Sequence, residues 1–193
     1  MTIFNDKHYI NLVLNGAINE YEVLVNQYKN FVYSLAFKMV KNSEDAEEVA
    51  QDSFLKAYKS LKSFNEDSKF STWLYKITYN ICLDYLRKNK IILADIYAND
   101  VVKNLDSDDI TAIKLIEKKE LKSAVQNCLN QLPNADAFLL SLYYYEDLSI
   151  KEIALIMNLN SNHIKIKLHR SRKKMALILK STLEPEILET YEK

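Results

Sequence analysis

Residues 147–174 read DLSIKEIALIMNLNSNHIKIKLHRSRKK, and their types and spacing suit the reading of DNA rather than bond-making chemistry. Ser149 and Glu152 have the Ser-x-x-Glu spacing of a capping box, in which the two side chains satisfy free backbone N–H groups at a helix start. Leu148 and Ile153 stand where a hydrophobic staple closes over that cap. Ile153, Ala154, Ile156 and Met157 supply an apolar face at helical spacing. Asn158 falls at the turn, where asparagine tolerates the left-handed conformation that ends helices. Asn160 caps a second helix, with Leu159 and Ile164 as its staple. In that helix Ile164, Leu168, Met175 and Leu179 recur on the core side. At about 100° per residue, Asn162, Ile166, His169 and Lys173 point the other way. Lys165, Arg170, Arg172 and Lys174 flank them, and no acidic residue occurs from Ser161 to Lys180. This is the pattern of a helix-turn-helix whose second helix enters a major groove. A solvated basic helix end, favoured by the helix dipole, is the plainer reading. It leaves the capped turn unexplained.

A second constellation lies in the first half of the chain. Phe64, Phe70, Thr72 and Trp73 surround a polar loop and helix start, with Lys69 and Lys76 among them. Rings interleaved with cations suit a single strand, because bases stack on rings for about 1–3 kcal/mol each while lysines follow phosphates. Equally, Phe64, Phe70 and Trp73 fill a core beneath the loop, and the residues alone leave both readings open.

Neither constellation stands without helices to carry it. The chain of 193 residues has one Gly and two Pro, and no stretch alternates as a strand does. That predicts an all-α protein of two helical domains joined by a linker, the C-terminal one carrying the helix-turn-helix. The expected boundaries are 1–90 for the first domain, 91–108 for the linker, 109–183 for the second domain and 184–193 for an acidic tail. Helices are predicted near Asp6–Asn15, over Asn19–Lys41, from a Ser43 cap to Leu61, and from Ser71 to Lys88. A short helical piece at Ile91–Tyr97 is expected inside the linker, which would let the domains be placed independently. Helicity resumes over Asp109–Asn130 and again over Ala135–Tyr145.

Composition narrows the function. Net charge is zero, with 26 basic and 26 acidic residues, so the chain is not uniformly adhesive to nucleic acid. The charges are segregated instead. Glu44, Asp45, Glu47, Glu48 and Asp52 form an acidic cluster far from the basic helix, which suggests one surface for DNA and another for a protein. Taken alone, the acidic run is also an ordinary solvated helix start. Cys82 and Cys128 are far apart and sit among apolar residues, as reduced thiols in a cytoplasmic protein do. No secretory signal and no bilayer-spanning apolar run is present, so no membrane insertion is expected. No nucleophile–base pair, Gly-rich phosphate loop or metal quartet is apparent, so no catalytic residue, metal site or cofactor is expected. His163 and His169 lack a third ligand and suit DNA contact better.

Both halves resemble the extracytoplasmic-function (ECF) group of bacterial RNA polymerase sigma factors. The first half resembles their second conserved region through Asp45-Ala46-Glu47-Glu48-Val49-Ala50-Gln51-Asp52-Ser53-Phe54, Ser71-Thr72-Trp73-Leu74, Ile77, Asn80, Asp84 and Arg87. The last third resembles their fourth region through Leu132-Pro133, Leu148-Ser149, Glu152-Ile153-Ala154, Ile164-Lys165, Leu168-His169-Arg170 and Arg172. The resemblance spans nearly the whole chain, with both motif blocks in order. It implies a non-catalytic subunit that binds core polymerase, recognises promoter DNA and initiates transcription. On that basis Phe64, Lys69, Phe70, Thr72, Trp73, Lys76, Asn80, Arg87 and Lys88 would serve the minus-ten element. The loop from Phe64 to Phe70 would hold a flipped base. Asn162, His163, Lys165, Ile166, His169, Arg170 and Lys173 would serve the minus-thirty-five element. Asp45, Glu48, Gln51 and Asp52 would dock on the clamp helices of the largest polymerase subunit. Lys165, Arg170, Arg172, Lys173 and Lys174 would meet phosphates, making binding steeply salt-dependent. A monomer is expected for the free chain. Relatives are often held by an anti-sigma factor, although nothing in this chain identifies one.

The chain departs from the family pattern in its reading helix. Asn158 replaces a turn Gly, Asn162-His163 a Gly-Thr pair, Ile166 a Ser, and Lys167 an Arg. An apolar Ile166 suits a thymine methyl. The competing class is a dimeric helix-turn-helix regulator, which predicts a palindromic site and tight binding without polymerase. It gives the Trp73 loop and the acidic helix no role.

Overall fold

In the computed structural model, residues 5–96 and 125–182 are described. Every regular element among them is helical, in agreement with the all-α expectation. The first half contains α1 (Asp6–Leu14), α2 (Tyr21–Val40), α3 (Ser43–Lys59) and α4 (Phe70–Ile96), with single 3-10 turns at Ile18–Glu20 and Leu61–Ser63. The second half contains α5, whose described part covers 125–131, then α6 (Asn134–Tyr145), α7 (Ile150–Met157) and α8 (Ser161–Thr182).

Local chemistry sets these boundaries. Asn5 caps α1 by accepting from the His8 N–H, and Gly16 follows the helix with φ of 100°, a conformation that favours glycine. α2 ends where Lys41 turns left-handed at φ of 57° and its N–H returns to the Phe37 carbonyl. The α3 cap is Asn42 rather than the expected Ser43, because the Asn42 side chain accepts from the Asp45 N–H at 3.1 Å. The Ser43 hydroxyl lies 3.0 Å from that of Tyr33.

α2 is the hub of the first half and packs on α1, α3 and α4. Leu24, Val32, Leu35 and Met39 of α2 are buried with Val49 and Phe54 of α3 and Leu74 of α4. Cys82 lies in this core, and burial pushes its thiol up to about 12, so it is an unreactive apolar group. Cys128 is also buried and forms no disulfide among the described residues.

α4 continues through Ile96, so the first residues of the expected linker extend a helix instead of forming a separate piece. The rest of that linker, the first part of the 109–130 helix and the acidic tail lie outside the described residues. The two helical regions expected from the sequence also pack on each other. α2 packs on α6 and α4 packs on α7, and one apolar core runs through both halves. Polar contacts explain the closure. Lys41 Nζ donates to the Asn130 and Leu132 carbonyls, each at 2.8 Å, and so caps the end of α5 with a cation. Lys38 Nζ donates to Asn130 Oδ1 at 3.0 Å, and Asn134 Nδ2 donates to the Met39 carbonyl. The Tyr79 ring lies 4.9 Å from that of Phe138.

Candidate nucleic-acid interface

The helix-turn-helix is built as its sequence requires. Ser149 Oγ accepts from the Glu152 N–H at 3.3 Å, and Glu152 Oε2 accepts from the Ser149 N–H at 2.8 Å, completing the capping box. Partial burial alone would raise the Glu152 carboxyl. Hydrogen bonds from Ser149 and the charge of Lys69 outweigh it and hold the group below its ordinary range. Asn158 is left-handed at φ of 54°, and its N–H and that of Leu159 both return to the Ala154 carbonyl. Asn160 Oδ1 accepts from the His163 N–H at 2.8 Å and so starts α8. Ile153, Ile156 and Met157 of α7 share a buried cluster with Ile164 and Leu168 of α8 and Phe138 and Leu142 of α6.

That packing gives α8 an inner and an outer side. Asn162, His163, Lys165, Ile166, His169, Arg170 and Lys173 are all exposed, and Ile166 is an apolar side chain left 50% open to solvent. Lys165, Arg170 and Lys173 have no ion pair among the described residues. The other cations are engaged within the protein. Lys167 and Lys174 both pair with Asp136 of α6. The Arg172 guanidinium lies 5.0 Å from the Tyr143 ring centre and 5.4 Å from that of Tyr144. Lys174 and Arg172, expected to meet phosphates, are engaged within the protein in this structure. Asp136 had no place in the sequence reading, where it passes for an ordinary acidic residue of a first helical turn.

In the first half, Phe64, Phe70 and Trp73 form a three-ring cluster with centroid separations of 5.3–5.8 Å. The rings differ in depth. Phe70 is 2% exposed and also meets Tyr28, whereas Phe64 and Trp73 are half-buried at the rim. Thr72 is 2% exposed as well. Phe70 and Thr72, expected to serve the minus-ten element, face the interior in this arrangement and support the rim. Lys69, Lys76, Asn80, Arg87 and Lys88 are exposed. Lys69 lies 3.4 Å from Glu152, and Arg87 lies 3.2 Å from Asp84. Lys76 borders a groove with Lys151, Leu155, Asn158 and Asn160, so the candidate minus-ten face of α4 looks onto α7 and its turn.

The acidic helix α3 presents Glu48, Gln51 and Asp52 to solvent, with Asp45 half-buried. Glu48 and Asp52 line a groove of about 510 Å³ between α3 and α4, floored by Val49 and Ile81 and edged by Leu55 and Tyr85. Burial and then the nearby Asp45 push the Tyr85 hydroxyl up. Leu55 was missed from sequence, although an apolar residue on the open side of a charged helix is a usable signal; here it is 50% exposed. No cluster of metal-ligating residues and no helix long and apolar enough to cross a membrane occurs among the described residues.

Known proteins share this arrangement. The family model of sigma-70 region 2 matches residues 24–91, and that of sigma-70 region 4 matches residues 122–175. The ECF RNA polymerase sigma factor SigW of Bacillus subtilis is 31% identical over 175 residues, covering 86% of this chain and 92% of that protein. The ECF RNA polymerase sigma-E factor of Haemophilus influenzae is 32% identical over 174 residues, covering 86% and 91%. Two solved structures, both 19% identical, share the fold. One is the sigma factor RpoE of Bartonella quintana in complex with the anti-sigma factor NepR, with a TM-score of 0.67 over 85% of this chain and 99% of that one. The other is CnrH in complex with the cytosolic domain of CnrY, with a TM-score of 0.63 over 92% and 99%. The order of the two regions and the near-complete coverage of these relatives place the chain in one family: it belongs to the ECF RNA polymerase sigma factors.

Proposed function

We propose that this sigma factor reads the minus-thirty-five element through the outer side of α8. Asn162, His163, Lys165, Ile166, His169, Arg170 and Lys173 are the contact set, and their shared exposure on one capped recognition helix carries the reading. The rim rings Phe64 and Trp73, with Lys69, Lys76, Asn80, Arg87 and Lys88, serve the minus-ten element, while Phe70 and Thr72 support them from beneath. Asp45, Glu48, Gln51 and Asp52 dock on core polymerase at its clamp helices, where an acidic surface beside an apolar groove suits a basic helical partner. The chain has no catalytic step of its own, needs no cofactor and works in the cytoplasm as a monomer until it meets polymerase. An anti-sigma factor is a further partner, in line with the complex of its structural relative RpoE with the anti-sigma factor NepR.

Because α4 faces α7 in the structure, simultaneous reading of two elements requires the halves to separate on the polymerase. The deciding experiment is run-off transcription. The chain with core polymerase yields a transcript from a two-element promoter, and the chain alone leaves that DNA unprotected. Protection of a palindrome by the chain alone would instead indicate the dimeric regulator, which leaves α3 and the ring cluster without a role.

A further inference from the structure

Asp136 sits in the first turn of α6 and is 3% exposed, yet it contacts no DNA-facing residue of the interface described above. Its two oxygens are divided between two lysines of α8. Lys167 Nζ donates to Oδ1 at 2.6 Å, and Lys174 Nζ donates to Oδ2 at 2.8 Å. The lysines are seven residues apart, about two helical turns. Between them lies Ser171, fully buried on the same stripe of α8. One carboxylate thus grips a helix at two levels. Apolar packing of Ile164 and Leu168 orients α8, and two ion pairs on one stripe add a polar restraint on its roll.

The same contacts redistribute charge. α8 carries seven basic residues and no acidic one. Phosphate contacts by such residues bind every DNA sequence alike, while base contacts discriminate. We propose that Asp136 is a positioning residue that sets promoter specificity, fixing the roll of α8 and withholding Lys167 and Lys174 from DNA phosphates. Burial alone would raise the Asp136 carboxyl, but the two lysines lower it overall, so the group stays charged and able to hold them. The proposal rests on the reading of α8 as the minus-thirty-five helix.

The test uses holoenzyme formed from the full chain and core polymerase. A promoter duplex is first selected by the wild-type holoenzyme from a library randomised in the upstream element. Binding to that duplex, and to one scrambled in the same element, is then measured across a salt series. Asp136→Asn frees two cations, so the slope of log K against log salt should steepen by about 1.8, at about 0.9 per phosphate. Discrimination between the duplexes should fall by about tenfold, the worth of a base contact. Asp136→Glu should restore both in large part. Lys174→Gln should leave the slope unchanged, whereas Lys165→Gln should reduce it by about 0.9. The lysine pair decides the matter even where Asp136→Asn lowers folded content by circular dichroism. An unchanged slope and ratio in folded Asp136→Asn overturn the proposal, as does a Lys174→Gln slope reduced like that of Lys165→Gln. Failure of the wild-type holoenzyme to select any upstream element overturns the reading of α8 itself.

Discussion

The Tyr75 hydroxyl donates a 2.8 Å hydrogen bond to Glu146 Oε2, tying the second turn of α4 to the residue that ends α6. Tyr75 is fully buried, with the Phe31 ring 5.1 Å away and the Tyr28 ring 6.3 Å away. The bond therefore joins the two halves at a packed, water-poor point. Tyr75→Phe keeps the ring and removes the donor, so it should cost about 1–2 kcal/mol in chemical denaturation. Glu146 gives this contact a pH dependence. Burial raises its carboxyl above the ordinary 4.5, with Asp147 adding and the Tyr75 bond opposing. The folded protein then binds its proton more tightly than the unfolded chain. The stabilising contribution is complete below the ordinary value and disappears as pH rises through the raised one. Glu146→Gln should flatten the stability profile in that window, and an unaltered profile would exclude Glu146 as its source.

Lys38 presents the opposite linkage. It is 2% exposed, and burial, followed by repulsion from Lys41, lowers it to about 8. Between that value and the ordinary 10.5 the unfolded chain holds the proton more firmly, so stability should rise with pH across this range. Lys38→Met replaces a buried cation with an apolar chain of similar length. It should stabilise the protein at neutral pH by about 1 kcal/mol, as exchanges of buried charges for hydrophobic groups often do. Thermal unfolding across the pH range checks both the size and the direction.

The capping box sets the start of α7 and hence the angle at which α8 is presented. Ser149→Ala removes the acceptor for the Glu152 N–H and should cost about 1 kcal/mol. The loss should appear in hydrogen exchange first at α7. Uniform loosening of α2 and α3 to the same extent would show that the cap has no local role.

Ile166 is an outward apolar residue of α8, and a thymine methyl is the contact proposed for it. Ile166→Ser should lower preference for T at one upstream position by about fivefold, close to 1 kcal/mol. The salt slope should stay constant, since no cation is altered. Selection from a randomised promoter library provides the measurement, and retention of the full T preference would rule out the contact.

The three rings of the first half should separate by depth. Phe70→Ala empties a core position and should cost about 3–5 kcal/mol. Trp73→Ala acts at the rim and should reduce promoter melting, read by permanganate reactivity of unpaired thymines, more than it reduces polymerase binding. Equal loss of both activities, together with unfolding, would assign Trp73 to the core.

What could be read from the sequence was what depends on near neighbours in the chain. The Ser149–Glu152 box, the left-handed Asn158 and the two sides of α8 rest on contacts within a few residues, where residue type and helical periodicity suffice. Even there, Asn42 displaced Ser43 as a cap because both residue types can accept the same N–H. Depth was not legible, since Phe64, Phe70 and Trp73 look alike in sequence and only packing against Tyr28 makes Phe70 the innermost. Pairings across long stretches of chain were hidden altogether. Tyr75 meets Glu146 71 residues away, Lys38 meets Asn130 92 away, and Asp136 meets Lys167 and Lys174 31 and 38 away. Charge and polarity name many partners for each of these groups, and only the packing of α2, α4, α6 and α8 selects among them. The chain's order thus settled that a basic, capped helix follows a tight turn, the feature on which the proposed reading of DNA rests. The three-dimensional arrangement settled that Lys167 and Lys174 are held by Asp136, because a buried carboxylate attracts the cations that folding brings within reach.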